Sequence, residues 1–183
     1  MAPKATVAAV ALALAGAGCG AASQGQFAWL HPQPAPRGWV VARVATGAQM
    51  PYPPGWRSIR GDRGTATAAL LSGDGGYLGY LNVTPRQGDE TLSNWPSLRI
   101  AHNAGEGNRS VKRLAASSGL RFLTGRGSCV KDAYTTRTGA HYIEIACLVA
   151  GQTATSVIVA AAPPASWSKV SGSLERAISA FRT

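Results

Sequence analysis

Two cysteines, Cys129 and Cys147, bracket the stretch SCVKDAYTTRTGAHYIEIACLV, and between them lie two tyrosines and two carboxylates in near-mirror positions. Four kinds of chemistry use such residues: thiol redox exchange, metal binding, paired-acid catalysis and a structural disulfide. Redox exchange is disfavoured because no C-x-x-C motif is present. A zinc site is disfavoured because no second Cys or His cluster has ligand spacing. A hairpin is favoured, since Arg137-Thr138-Gly139 suits a three-residue loop with glycine in the left-handed position. Counting outward from that loop, Cys129 faces Cys147 at a non-hydrogen-bonded pair, where Cα atoms stand roughly 4.5 Å apart. The sequence therefore predicts one cross-strand disulfide. The same register sets Asp132 against Glu144 and Tyr134 against Tyr142. Two facing carboxylates repel unless a cation intervenes. They would serve acid–base chemistry or a divalent ion, or else be bridged by arginine. Asp132, Glu144, Tyr134 and Tyr142 form the candidate ligand-binding cluster; no catalytic residue, metal ligand or cofactor is assigned.

The remaining ionisable residues are dispersed. His31, His102 and His141 stand apart, and no G-x-S-x-G or H-E-x-x-H motif occurs, so a non-catalytic protein is expected rather than an envelope hydrolase. The chain of 183 residues carries 18 Lys+Arg against eight Asp+Glu, a formal +10, and 14 of the cations are arginine. The densest basic segment holds Arg109, Lys112, Arg113, Arg121 and Arg126 with no acid among them, a candidate patch for anionic headgroups or a solvated strand face. Nucleic acid is not an expected partner, because no recognition motif is present.

Placing these residues requires the elements around them. MAPKATVAAVALALAGAGC reads as a signal peptide over residues 1–18: Lys4, an apolar run too short to span a bilayer, then small residues. AGAGC resembles a bacterial lipobox, which implies lipid on Cys19 and a protein anchored to the outer face of the cytoplasmic membrane. Gly16 departs from the aliphatic residue usual in that motif, so ordinary cleavage after Ala17 to give a secreted soluble protein is the alternative. Lipid on Cys19 would leave two cysteines, an even number suited to a disulfide outside the cell. Residues 19–38 read as a Pro-rich tether in which Phe27 and Trp29 lie against the membrane or dock on the domain. Residues 39–183 read as a single α+β domain.

Within it, Trp39–Ala45 is a predicted strand, MPYPPGW an extended turn, and WRSIR, GTATAALL and GYLGYLNVTP three strands, the last two joined at Asp74-Gly75. A helix follows over ETLSNWPSLRIAHNAGEG, with Ser93 as the expected N-cap and Gly105 and Gly107 as the stop. SVKRLAA, LRFLTG and the cysteine hairpin are strand-like, and TATSVIVAAA is apolar enough for a central strand. Trp167, Val170, Leu174, Ile178 and Phe181 then recur at the period of an amphipathic helix. Short turns between strands predict an antiparallel sheet. YPPGW at Tyr52–Trp56, the central helix and the ending VIVAAAPPASW…LERAISAF resemble PsbP-like domains and small actinobacterial lipoproteins over about Trp39–Phe181. The resemblance implies an antiparallel sheet with helices on both faces and a binding or assembly role on an envelope protein or small ligand. A carrier of lipid or a small apolar molecule is the alternative.

Overall fold

A computed structural model describes residues 25–183; the predicted signal peptide and Cys19 lie outside the described residues. Among these residues a 3-10 turn at Gly25–Phe27 is followed by nine strands and two α-helices, in chain order β1 Val40–Arg43, β2 Gln49–Tyr52, β3 Arg57–Ile59, β4 Ala66–Leu71, β5 Tyr77–Pro85, α1 Trp95–Gly105, β6 Arg109–Arg121, β7 Gly125–Thr135, β8 His141–Gly151, β9 Thr155–Ala162 and α2 Pro164–Ser179. Seven strands make one antiparallel sheet in the order β3-β4-β5-β9-β8-β7-β6, and β1 and β2 form a separate ribbon. The apolar run TSVIVAAA is the middle strand, as its lack of alternation requires: Ser156 through Ala162 are all buried between neighbours and covered on both faces.

The two helices take opposite faces. α2 lays Val170, Leu174 and Ile178 on the face made by Leu81, Val83, Cys147, Ile158 and Ala160. Burying side chains of this size stabilises by about 1.5–3 kcal/mol each. α1 covers the other face, where Trp95 packs with Val130, Ala146, Leu148, Val157 and Val159 and donates its indole N–H to the Ala146 carbonyl at 3.0 Å. The alternation of β7 and β8 divides them between these layers. Odd positions such as Cys129 and Cys147 face α2, and even positions such as Asp132 and Glu144 face α1.

Several local expectations are revised. MPYPPGW does not turn throughout, because Gln49–Tyr52 pairs with β1. Pro51 is tolerated in a two-stranded ribbon, where no central ladder depends on its missing N–H. β6 is one strand of 13 residues, not two, because bulges between Ser117 and Leu120, with Gly119 at φ 71°, absorb the SSG break without ending the pairing. The N-cap of α1 is Asn94, not Ser93; its side chain accepts from the Thr91 N–H and donates to the Asp89 carbonyl, tying the entry loop instead of the helix. Pro96 then falls in the first turn, where no N–H is needed. Finally, of the two placements open to Phe27 and Trp29 in the predicted tether, docking on the domain is the one adopted. Phe27 is 3% exposed in the core, Trp29 and Leu30 pack beside it, and Gln33 N–H bonds the Ser179 carbonyl at 3.2 Å. Burial of these aromatics outweighs the extended preference of the surrounding prolines.

Candidate functional site

The hairpin that carries the candidate cluster has the predicted register. Gly139 sits at φ 89°, Thr136 N–H bonds the Ala140 carbonyl, and Cys129 faces Cys147 in a disulfide with Cα atoms 4.1 Å apart. Asp132 faces Glu144 and Tyr134 faces Tyr142. Both carboxylates are fully buried beneath α1.

Burial of two acids side by side would be costly without a cation. α1 supplies one. Arg99 grips Glu144 in a bidentate pair, Nε to Oε1 at 2.6 Å and Nη2 to Oε2 at 2.8 Å. One turn further, Asn103 donates through Nδ2 to Asp132 Oδ2 at 3.0 Å and lies 3.5 Å from Glu144 Oε1. Arg99 and Asn103 are four residues apart and so share a helix face. Tyr134 donates its hydroxyl to Glu144 Oε2 at 3.2 Å, and Tyr80 lies 3.4 Å from the Tyr134 oxygen. Because Tyr134 spends its proton on Glu144, Tyr80 is the donor in that contact. Asp132 Oδ1 is left without a partner.

The electrostatics follow from this packing. Burial, then the neighbouring Glu144 charge, pushes the Asp132 carboxyl up to about 7, while Arg99 and Asn103 oppose the rise. Burial and Glu144 also push the Tyr80 and Tyr134 hydroxyls well above the usual phenol range. Burial alone would lower the Arg99 guanidinium, but Glu144 beside it reverses the direction and raises it. Arginine thus neutralises one acid of the pair, Glu144, and does not bridge the two as expected; the side chain that reaches both carboxylates is Asn103.

Above this network opens a cleft of about 670 Å³. Tyr80, Tyr134 and Tyr142 line it together with Tyr77, Asn82 and Arg99. The tyrosines form a connected chain: Tyr77 meets Tyr80 edge-on at 6.2 Å, Tyr80 meets Tyr142 edge-on at 6.0 Å, and Tyr142 stacks on Tyr134 at 6.0 Å. Asn82 donates to Thr67 Oγ1 at 2.8 Å across the β4–β5 pair. Of the four residues of the predicted cluster, the two tyrosines reach the cleft, and the two acids lie under it as its foundation.

Sequence reasoning missed Arg99, Asn103, Tyr80 and Asn82. Arg99 and Asn103 carried a signal, a polar pair at i and i+4 on an otherwise amphipathic helix. Tyr80 and Asn82 lie on β5 and reach the site only because β9 inserts between β5 and β8, a pairing no local pattern announces. The basic segment is not brought to the cleft. Arg109, Lys112, Arg113, Arg121 and Arg126 are all exposed along β6 and the start of β7, with Arg121 directly opposite Arg126. Like charges at such a pair repel, and solvation there is what makes them tolerable.

No protein-family model matches the chain, and no curated protein matches it in sequence. Solved structures do share its architecture. A protein of unknown function from Pseudomonas aeruginosa, PA94, superposes with a TM-score of 0.52 at 14% identity, over 79% of this chain and 96% of that one. Cyanobacterial PsbP (CyanoP) from Synechocystis gives 0.49 at 10% identity over 79% and 92%. LpqN of Mycobacterium tuberculosis, involved in cell envelope biogenesis, gives 0.43 at 10% identity over 78% and 88%. At 14% identity the superposition on PA94 is a similarity of fold alone; the fold of this chain is an α+β domain with an antiparallel sheet between two helices, stapled by Cys129–Cys147.

Proposed function

We propose that the protein is a non-catalytic binding module of the bacterial cell envelope. In this reading it is exported, held by lipid on Cys19 at the outer face of the cytoplasmic membrane, and takes an envelope ligand or partner segment in the tyrosine cleft. The observation that carries the reading is the construction of the cleft floor. A bidentate Arg99–Glu144 pair, Asn103 and Tyr134 fix the helix to the sheet and pre-position the rings beneath the opening. Pre-positioned aromatic and hydrogen-bonding groups in a concave site are what selective binding requires.

Carriage of an apolar molecule is less well supported, because Asp62, Thr67, Asn82 and Gln87 stand in the walls. Covering them with hydrocarbon would leave polar groups unpaired. The test is mass spectrometry of the full chain purified from its own membrane. The reading predicts lipid on Cys19 and a co-purifying small molecule or peptide that is lost in Asn82→Leu, which fills the cleft wall. A free, unmodified N-terminus would remove the anchored placement, and a ligand retained by Asn82→Leu would remove the cleft.

A further inference from the structure

The charge of the cleft differs from the charge of the chain. Of 18 Lys+Arg, Arg99 is the one that lines the cleft among the described residues, where the imidazole of His102 and the carboxylate of Asp62 also stand, and its charge is spent on Glu144 through two hydrogen bonds. A site shaped for phosphate or carboxylate would present an unspent cation. On a protein this basic, such cations are abundant elsewhere, as along β6. The cleft therefore selects on something other than negative charge.

Two features are left to select with. One is aromatic surface: Tyr77 is 42% exposed at the rim, and Tyr80 and Tyr142 are half-buried and joined to it edge-on. The other is a set of mixed donors and acceptors, Asp62, Thr65, Thr67, Asn82, Gln87 and His102. Asn82 has its amide N–H fixed on Thr67, which orients the side chain and leaves its carbonyl oxygen to accept. Molecules with apolar C–H faces and a rim of hydroxyls, each both donor and acceptor, match both features at once. Ring faces pack on tyrosine, and hydroxyls bond the amides and threonines. The volume of about 670 Å³ lies within the range of ligand clefts, about 300–1,000 Å³.

From this we infer that the cleft binds a neutral polyhydroxylated ligand, of the class of a short oligosaccharide. The inference rests on the cleft being the binding site, as proposed above. It is tested by NMR of the full chain carrying 13C-labelled tyrosine, titrated separately with maltotriose, cellotriose, mannotriose and N-acetylchitotriose. At least one trisaccharide should shift Tyr77, Tyr80 and Tyr142 saturably, while Tyr52, buried on the opposite face against α2, stays unmoved. Tyr77→Ala, at an exposed position that does not threaten folding, should weaken binding about three- to tenfold, and Tyr77→Phe should retain it. If no trisaccharide moves these rings but tetramethylammonium or trialanine does, the ligand class is overturned and the cleft stands. If none of the probes moves them, both are overturned.

Discussion

Replacing Asp132 with Asn should stabilise the protein at neutral and alkaline pH. Asp132 is fully buried, lies across from Glu144, and leaves Oδ1 without a partner. Burial first, and Glu144 second, raise its carboxyl from 3.8 to about 7. In the unfolded chain it titrates near 3.8, so between about pH 4 and pH 7 the folded state binds a proton that the unfolded state has lost. Stability therefore falls as pH rises through that window and levels off above it. The rise corresponds to a ceiling of about 4 kcal/mol. Relaxation around the buried charge lowers this, and a gain of about 2 kcal/mol for Asp132→Asn at pH 8 is the expected result. The amide keeps an oxygen for the Asn103 N–H and removes the buried charge beside Glu144. At pH 4 the two proteins should be nearly equal. Urea denaturation at pH 4, 5.5 and 8 measures the difference directly. A difference that does not change with pH, or a variant less stable than the parent at pH 8, would refute the reasoning.

Three further outcomes follow from named contacts. Arg99→Met leaves Glu144 buried without its cation and should cost about 3–5 kcal/mol in the same denaturation assay. Reduction of Cys129–Cys147, separated by 18 residues, or the double Ser variant should cost about 3 kcal/mol in the loop-entropy model, read as a lower denaturation midpoint. Gly125→Ala should destabilise by about 1–3 kcal/mol or more, because a Cβ there would stand 2.1 Å from the Ala150 carbonyl oxygen, and a strand backbone cannot yield as a side chain does; thermal unfolding measures the loss.

What was legible in the sequence divides along the range of the interactions. The cysteine hairpin was readable because loop, register and disulfide all depend on residues within one local segment. The C-terminal helix was readable from its period, and the middle strand from its unbroken apolar run. The acid pair was readable as a juxtaposition, and so was its need for a cation. The identity of that cation was not, since Arg99 approaches from a helix 45 residues away, and its partner depends on which face of the sheet α1 covers. The same limit hid the cleft: Tyr80 joins Tyr134 and Tyr142 only through the β5–β9–β8 pairing. The docking of Phe27 was legible only as one of two placements, because the prolines and glycines around it suggest a linker and no local pattern shows that the core has room for an aromatic ring.

The measurement that bears most directly on the cleft as binding site is an amide chemical-shift map of the 15N-labelled full chain on addition of a water-soluble extract of its own envelope. Saturable changes at Tyr77, Tyr80, Asn82 and Tyr142, with Arg109–Arg121 unchanged, are the predicted result. Changes confined to the basic β6 edge, or no saturable change at the cleft, would contradict it.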